Sequence, residues 1–435
     1  MNLSAVLLSI ISEYSLRRRI YCIFCTREQI CFSCAFDKLA VSAGTKIKFH
    51  RFRRRSLMSI RAAEANFFER NNLFMLKRVK LEKSGIEVSR ICFGSLTVSA
   101  LGANLPVNRG AQVIAYALEN GINFIDTAQY YQNYEVIREG IALYRERSGA
   151  AAEEPVICSK TYAWNRELAQ AAVDEARSAL NRDVIDIFML HEQESMDTLR
   201  GHAEALEYLY ECRDRGIIRA VGISTHCVDA VNAACEISHS HGQGLDVVFP
   251  MYNKSGLGIH LPRSVSSEVL TEEERKLAAR TEMYNAIKRC HDSGVGVMLM
   301  KVFGGGHLLG EAIPENVSDG NFNRPSSRAA EALKFAIDCD AADSVALGMQ
   351  SEDEVAENIR FFESGSFSDG FCEITDRRQR KLIVEDYCEG CGRCVRRCGS
   401  GAMSIKDGVA FCDTEKCVLC GYCAGVCPHF AIKVV

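Results

Sequence analysis

From Leu76 onward, short apolar runs alternate with longer stretches in which apolar residues recur at helical spacing. Seven of the eight runs are rich in β-branched or large apolar residues, as expected of strands buried on both faces. The predicted strands are 90–94, 122–126, 156–160, 185–190, 219–223, 246–250, 296–300 and 344–348. The predicted helices are 109–120, 132–147, 166–181, 198–215, 228–241, 276–293, 326–339 and 352–363. A short hairpin, beginning near residue 76, is expected before the first strand.

The helical stretches are amphipathic, and several end at glycine, which favours the left-handed conformation that follows a helix. These glycines are Gly121, Gly216, Gly242 and Gly294. Eight successive β-α units predict an α/β fold, a (β/α)8 TIM barrel, which typically takes about 250 residues. An open doubly wound sheet also alternates in this way, but it more often carries a G-x-G-x-x-G motif after its first strand, and none stands there.

Charge is distributed unevenly along the 435 residues, whose net charge is −4. Residues 1–74 carry thirteen Lys and Arg against five Asp and Glu, a net charge of +8, which leaves −12 for the rest. The acidic balance of the whole argues against a nucleic-acid partner. We therefore interpret 1–74 as a basic N-terminal extension without stable order or outside the native protein.

Two alternatives for this extension stay open. One is an organelle presequence, indicated by "RFRRRSLMSIR", although the acidic residues upstream do not suit one. The other is a metal site on two C-x-x-C units, although zinc ribbons usually separate such pairs by a longer loop. The four thiols belong to Cys22, Cys25, Cys31 and Cys34.

The chain contains 21 cysteines, many of them scattered through apolar or helical runs. Cys92, Cys158, Cys212 and Cys290 are expected to be buried free thiols. Abundant unpaired cysteine fits a reducing compartment, so we expect a cytoplasmic protein. No apolar run approaches the ~18–20 residues that span a membrane, so no membrane partner is expected.

Four polar residues lie at the C-terminal ends of consecutive predicted strands, where the active sites of such barrels are built. They are Asp126, Tyr131, Lys160 and His191. Taken singly, each has an ordinary structural interpretation as a helix cap, a packed aromatic, a surface charge or a satisfied polar group. Their shared position on one rim favours a functional set.

This set suits proton transfer to a carbonyl oxygen. The ordinary pKa of tyrosine is near ~10, and a lysine cation beside it is expected to lower that pKa. The aspartate would pair with the lysine and fix it, and the histidine would orient a carbonyl through a hydrogen bond. The phenol would then donate its proton while hydride reaches the carbon.

The segment "GINFIDTAQYYQNYEVIREGI" resembles the aldo/keto reductase segment that holds the catalytic Asp and Tyr. "VICSK", "DIFMLH" and "GIIRAVGIS" are similar to three further strands of that family. The resemblance covers about 76–363 within a predicted barrel domain of 75–364. It implies a (β/α)8 barrel, NAD(P)H-dependent reduction of an aldehyde or ketone, and catalytic roles for Asp126, Tyr131, Lys160 and His191.

The resemblance also implies a cofactor site running over the rim toward the seventh and eighth strands. Its expected contacts are Gly94, Ser224, Tyr252, Gly304, Gly305, Gly348, Glu357 and Asn358. Ser351 and Glu354 form an S-x-x-E capping box, which predicts a helix start that favours an anion. Glu354 departs from the basic residue of NADPH-specific members, so NADH or another cofactor becomes more plausible. Phe249 departs too, standing near a position often held by an amide.

Beyond a Ser/Gly-rich linker at 365–383, residues 384–435 contain "CEGCGRCVRRCG" and "CVLCGYCAGVCP". Both follow the C-x2-C-x2-C-x3-C spacing of bacterial two-cluster ferredoxins, in which the fourth cysteine of each run binds the other cluster. We predict a small α+β domain with two 4Fe–4S clusters. The first cluster would use Cys388, Cys391, Cys394 and Cys427, and the second Cys417, Cys420, Cys423 and Cys398. A zinc site is the alternative, and Cys412 is interpreted as a structural thiol. "AMSIKDGVAF" and "AIKVV" are expected to form small hairpins that flank the clusters.

The whole chain is similar to the ferredoxin-fused branch of the aldo/keto reductases. We predict an oxidoreductase that reduces a small-molecule carbonyl with NAD(P)H and exchanges electrons with a redox protein partner. Nicotinamide transfers two electrons as hydride whereas a cluster transfers one, so a flavin that links them stays open. The alternative is an electron-transfer or redox-responsive subunit whose barrel binds a ligand without turnover.

Overall fold

The structure is a computed structural model that describes residues 76–238, 244–265, 270–309, 325–368, 381–398, 400–417, 419, 422–429 and 431–434. The predicted N-terminal extension at 1–74, with its two C-x-x-C units, lies outside these residues.

Eight parallel strands form a closed barrel in which the last strand pairs with the first, in the order β10-β3-β4-β5-β6-β7-β8-β9. The strands are β3 (Ile91–Gly94), β4 (Phe124–Asp126), β5 (Val156–Thr161), β6 (Ile185–Leu190), β7 (Ile218–Thr225), β8 (Val247–Pro250), β9 (Gly296–Leu299) and β10 (Ser344–Leu347). Each overlaps one predicted strand, so the predicted TIM barrel is confirmed. Every residue of β5 and β6 is buried, as their apolar sequences require.

The helices outside the barrel also match the sequence pattern. They are α1 (Val107–Glu119), α2 (Tyr134–Ser148), α3 (Arg166–Leu180), α4 (Met196–Gly201), α5 (Ala203–Asp214), α6 (Val228–Ser238), α7 (Glu272–Asp292), α8 (Pro325–Ile337) and α9 (Glu352–Ser364). The helix predicted at 198–215 is in fact two helices that meet at His202. Gly121, Gly216 and Gly294 have φ values of 91°, 71° and 79°, which explains the glycine after each helix. Gly242 lies outside the described residues.

A hairpin precedes the barrel, as predicted, with β1 (Arg78–Leu81) antiparallel to β2 (Ile86–Ser89). Leu81 packs so tightly on the first residue of β9 that a Cβ on Gly296 would lie 3.0 Å from its Cδ2 atom. The hairpin therefore closes the N-terminal end of the barrel and leaves the opposite rim for chemistry.

The apolar core surrounds the barrel strands and the inner faces of the helices. The side chains of Cys92, Cys158, Cys212 and Cys290 are fully buried in it and form no disulfide, as predicted. None of the described helices is long and apolar enough to cross a membrane.

The cysteine-rich segment contains β11 (Leu382–Val384), α10 (Arg393–Arg397), β12 (Met403–Lys406), β13 (Val409–Cys412), α11 (Tyr422–Gly425) and β14 (Ile432–Val434). β12 and β13 form the hairpin that "AMSIKDGVAF" predicted. "AIKVV" was expected to form a second hairpin, and that interpretation is wrong. Its strand β14 pairs with β11, which begins two residues before the predicted domain start.

Candidate active site

The center of the barrel rim holds a buried ion pair. Lys160 on β5 donates hydrogen bonds of 2.6 Å each to Asp126 Oδ1, at the end of β4, and to the Thr127 carbonyl. Lys160 is 1% and Asp126 4% exposed. Burial lowers the pKa of Lys160, but attraction by Asp126, then Tyr131 and Cys158, outweighs it and raises the net pKa. The lysine is therefore an ammonium held in one place by two acceptors.

Tyr131 ends a short 3₁₀ helix (Gln129–Tyr131) that directly follows β4, so the chain returns its phenol toward the barrel axis. The Lys160 ammonium lies 5.1 Å from the center of the Tyr131 ring. Burial raises the pKa of Tyr131 to about 12, and Lys160 acts in the opposite direction. The predicted lysine contribution is present, but the predicted net lowering of the Tyr131 pKa is wrong. Desolvation is the larger effect, and the phenol is protonated at neutral pH.

His191 follows β6, and its ring lies edge-on to Tyr131 with ring centers 5.9 Å apart. Burial lowers the pKa of His191 well below its ordinary value, and the cations Lys160, Lys301 and Arg397 lower it further. The imidazole is therefore neutral, able to donate or accept one hydrogen bond without adding charge. All four predicted rim residues lie on this one rim.

Three further residues around His191 were missed by the sequence analysis. The ring of Tyr162 stacks on the imidazole with ring centers 4.5 Å apart and planes 22° apart. The Tyr162 hydroxyl donates a 2.9 Å hydrogen bond to Glu192 Oε2, and the same carboxylate forms an ion pair with Arg397. Glu192 could have been noticed because it immediately follows His191, but nothing local in the sequence indicates its partners.

Two of the predicted cofactor glycines have a steric reason to be glycine. A Cβ on Gly94 would lie 3.1 Å from the Leu347 carbonyl oxygen, and one on Gly348 would lie 2.1 Å from Thr97 Cγ2. β10 thus approaches β3 too closely for a side chain at Gly94, and the turn of 3₁₀ helix after β3 approaches too closely for one at Gly348. Gly304 and Gly305 have φ values of 57° and 68°, which glycine adopts without strain.

Two further predicted cofactor contacts, Ser224 on β7 and Tyr252 just after β8, already contact other groups of the protein. The Ser224 hydroxyl accepts a 3.0 Å hydrogen bond from the Glu192 backbone, and Tyr252 packs on Phe335 with ring centers 5.0 Å apart. Phe249, where an amide was expected, places its ring 5.3 Å from the Lys160 ammonium. The ring thus makes a cation–π contact with the buried ammonium.

Helix α9 begins at the predicted cap, because the Ser351 side chain accepts a hydrogen bond from the Glu354 backbone. Glu354 does not return the hydrogen bond to Ser351; its carboxylate instead accepts from the Gln350 N–H at 2.7 Å. Glu357 accepts hydrogen bonds from the backbone and hydroxyl of Ser368. Asn358 donates to the Glu354 carbonyl, while its buried Oδ1 has no hydrogen-bond partner among the described residues.

The four cysteines predicted for the first cluster line one cavity in the C-terminal segment. They are Cys388, Cys391, Cys394 and Cys427. Backbone N–H groups of Ala410 and Ala431 lie 3.4 and 3.3 Å from the Cys388 and Cys427 sulfurs. Hydrogen bonds to ligand sulfurs are a regular feature of iron–sulfur sites, so the donors fit such a cluster.

The second predicted ligand set is only partly described, because Cys420 lies outside the described residues. Cys417 and Cys423 are buried, and the Cys398 sulfur accepts a 3.2 Å hydrogen bond from the Ala402 N–H. A hydrogen bond to Cys412 lowers the pKa of the Cys417 thiol to about 7. The extra thiol therefore lies against this ligand set.

Within the part of the chain that the structure describes, no three Cys, His, Asp or Glu side chains converge as closely as a single metal ion requires. The first four cysteines share one cavity, and the C-x2-C-x2-C-x3-C spacing of the two runs that supply them is that of 4Fe–4S ligands.

Taken together, the closed barrel of eight parallel strands and the four polar residues on its rim define a (β/α)8 barrel protein. The chain belongs to the aldo/keto reductase family, whose model matches residues 90–377. A second model, the 4Fe-4S binding domain, matches residues 413–433.

Curated relatives of the chain include two reductases and one component of an oxidoreductase complex. The chain is 27% identical over 192 residues to aldo-keto reductase YhdN of Bacillus subtilis and 35% identical over 121 residues to glyoxal reductase of the same species. These matches cover 41% and 27% of the chain and 54% and 40% of the relatives. A further match, 39% identical over 64 residues, is to one component of an ion-translocating oxidoreductase complex of Methanosarcina acetivorans, covering 14% of the chain and 24% of that protein. The chain thus spans about half or less of the length of these relatives.

Among solved structures, the fold is similar to an aldo-keto reductase of Bombyx mori in complex with NADP. The TM-score is 0.46 at 17% identity, and the match covers 70% of this chain and 97% of that one.

Proposed function

We propose that the barrel reduces a small carbonyl compound with a nicotinamide cofactor and that the C-terminal segment carries two 4Fe–4S clusters for electron transfer. The observation that carries the first part is the Asp126–Lys160 ion pair placed beside a protonated Tyr131 and a neutral His191.

Tyr131 serves as the proton donor in this proposal. Its phenol keeps its proton at neutral pH because burial raises its pKa to about 12. Lys160 favours the phenolate that remains after transfer, since an ammonium stabilises a neighbouring anion in a water-poor site. Asp126 keeps this ammonium in place and balances its charge.

His191 orients the carbonyl. A neutral imidazole donates one hydrogen bond to the carbonyl oxygen and does not compete with Tyr131 as an acid. Its ring is fixed between Tyr131 and Tyr162, which limits the directions from which a carbonyl can approach.

A bound nicotinamide would supply the hydride chemistry. Asn358 fits the cofactor, because its buried Oδ1 lacks a partner among the described residues and would accept a hydrogen bond from an amine. Glu357 fits less well, because Ser368 already engages its carboxylate. The first turn of α9 carries Glu352, Asp353 and Glu354, which disfavours an added phosphate, so we propose NADH over NADPH.

The clusters are proposed on the ligand sets Cys388, Cys391, Cys394, Cys427 and Cys417, Cys420, Cys423, Cys398. The cysteine-lined cavity and its N–H···S contacts support the first set. The likeness to a component of an ion-translocating oxidoreductase complex supports a redox protein as partner. The likeness to glyoxal reductase makes a small aldehyde the first substrate class to test. With its abundant buried thiols, the protein is proposed to work in the cytoplasm.

The test is a Tyr131→Phe variant assayed anaerobically for NADH- and NADPH-linked reduction of glyoxal and related aldehydes. We expect at least about a 100-fold loss of turnover, because the proton donor is removed. Tyr210→Phe is the matched control, since Tyr210 is similarly buried and its hydroxyl has no hydrogen-bond partner among the described residues. Unchanged turnover in Tyr131→Phe would refute the proton-donor role and favour an electron-transfer subunit. Identification of the cofactor released from the same sample tests for a flavin.

A further inference from the structure

The cysteine-rich segment touches the barrel rim next to the candidate active site. Arg397 is the last residue of α10 and stands between the predicted cluster ligands Cys394 and Cys398. Its guanidinium forms an ion pair with Glu192 and lies 3.3 Å from Glu194 Oε1. Glu192 directly follows His191 at the end of β6, and Glu194 comes two residues later, so the contact falls on the rim and not on the outer helices.

Glu192 needs a cationic partner because its carboxylate is only 4% exposed. A buried carboxylate is costly unless a positive charge and hydrogen bonds compensate for lost water. His226 Nδ1 lies 3.8 Å away, but burial, then Lys301 and His260, lower the pKa of His226 well below 6.5, so this ring is neutral. The guanidinium of Arg397 supplies the charge.

The same carboxylate also controls an aromatic ring at the site. Glu192 accepts the Tyr162 hydroxyl hydrogen bond at 2.9 Å, and the Tyr162 ring stacks on His191. Contacts therefore run without a break from Arg397 through Glu192 and Tyr162 to the imidazole.

We propose that Glu192 and Glu194 form a docking site for helix α10 and that Arg397 is a positioning residue for His191. By holding Glu192, Arg397 fixes Tyr162 against the imidazole, and the cysteine-rich segment becomes one wall of the active site. The docking itself is independent of what the barrel catalyses. Only the consequence for His191 rests on the proposed function.

The docking is tested by hydrogen exchange on the anaerobically purified full chain, comparing Arg397→Gln and Glu192→Gln with the wild type. In both variants, amides of 191–195 are expected to exchange at least about tenfold faster, because the pair that closes this segment is broken. Arg396→Gln is the matched control, since Arg396 lies on the same helix but is exposed. Exchange in the two variants that equals the control would overturn the proposal.

An iron assay accompanies each variant, because Arg397 adjoins a predicted ligand. Glu192 lies far from the cysteines in sequence, so Glu192→Gln breaks the pair without altering the cluster segment. Faster exchange in Arg397→Gln that appears only with loss of iron, while Glu192→Gln behaves as wild type, would also overturn the proposal.

Trp164 is the only tryptophan of the chain, is 58% exposed and lies two residues beyond Tyr162. Iron–sulfur clusters absorb at tryptophan emission wavelengths, so a docked segment should quench this residue. Emission is expected to rise in Arg397→Gln and Glu192→Gln at unchanged iron content and to stay constant in Arg396→Gln. Equal emission in all four proteins would contradict docking.

The positioning role is read from kinetics. We expect the fold-decrease in kcat of Arg397→Gln to be about ten times its fold-increase in KM. The reason is that the variant loses the orientation of His191 and not affinity for the substrate. A change in KM alone would refute positioning while leaving docking intact. If the wild type reduces no carbonyl, the proposed function fails, but the exchange and emission measurements still decide the docking.

Discussion

The barrel and the cysteine-rich segment differ in what fills their interiors. Around the barrel, the buried residues are mostly aliphatic and aromatic, and the few charged ones are paired. Among the described residues of the other segment, the small core has seven buried residues, of which three are the cysteines Cys394, Cys423 and Cys427. Its hairpin leaves Ile405, Val409 and Phe411 between 38% and 42% exposed. Apolar burial therefore stabilises the barrel, whereas the stability of the segment is expected to depend on what its thiols bind.

Removal of one thiol is expected to have the largest effect on the difference between the two interiors. Cys394→Ala is expected to lower bound iron from about eight to about four per chain. Because metal binding and folding are coupled in so small a core, amide protection should be lost over 382–434. Barrel protection should persist.

Iron assay and hydrogen exchange measure both effects, with Cys339→Ala as the control, since Cys339 is a buried free thiol outside the cysteine-rich segment. A cysteine-rich segment that keeps its protection without iron would show that its apolar core suffices.

The next largest effect concerns the buried charges of the barrel. Lys160→Met leaves the Asp126 carboxylate buried without its cation, which is expected to cost about 3–5 kcal/mol of stability. Denaturant unfolding followed by far-UV circular dichroism measures it. Lys334→Met, which breaks an exposed ion pair with Asp338, should unfold at the wild-type denaturant concentration. Equal midpoints for the two variants would mean that the buried pair is not fixed as described.

A smaller effect follows from the Tyr131 pKa of about 12, against 10 for an unperturbed tyrosine. A group whose pKa is raised on folding contributes stability that is complete below pH 10 and lost as pH rises toward 12. Wild type should therefore lose about 2–3 kcal/mol more than Tyr131→Phe across this window. Unfolding measured at several pH values, always as the difference between the two proteins, tests this. If the stabilities of the two proteins changed with pH in parallel, the Tyr131 phenol would be in contact with water.

The smallest effect is expected on the exposed hairpin. Val409→Thr should change stability by no more than about 0.5 kcal/mol and leave iron content unchanged, because its side chain is partly in solvent already. Val248→Ala on β8 removes buried methyl groups and should cost about 2 kcal/mol. Similar losses for both would erase the contrast between the two interiors.

The sequence predicted the elements whose signal is local. Strands buried on both faces appear in the sequence as apolar runs. The ends of those runs locate the rim, and the four rim residues were predicted from their positions there. Contacts between distant parts of the chain carry no such signal. Glu192 and Arg397 are 205 residues apart, and neither position differs in type from many solvated acids and arginines.

Two other differences between the prediction and the structure also come from contacts between distant parts of the chain. "AIKVV" has the composition of a strand, but only the fold reveals that its partner is β11 and not a neighbouring segment. For Tyr131, the sequence placed a lysine beside the phenol correctly but contained no measure of how completely that phenol is buried. Desolvation depends on every surrounding element, so its dominance could not be anticipated.

The pairing of β11 with β14 also bears on biosynthesis. Cys427 and β14, which complete the first cysteine-lined cavity, follow Cys394 by more than thirty residues. During translation the barrel therefore emerges and folds while its cysteine-rich neighbour still lacks a fourth thiol and a sheet partner. Insertion of iron and sulfide into the first ligand set would therefore follow synthesis of the whole barrel sequence.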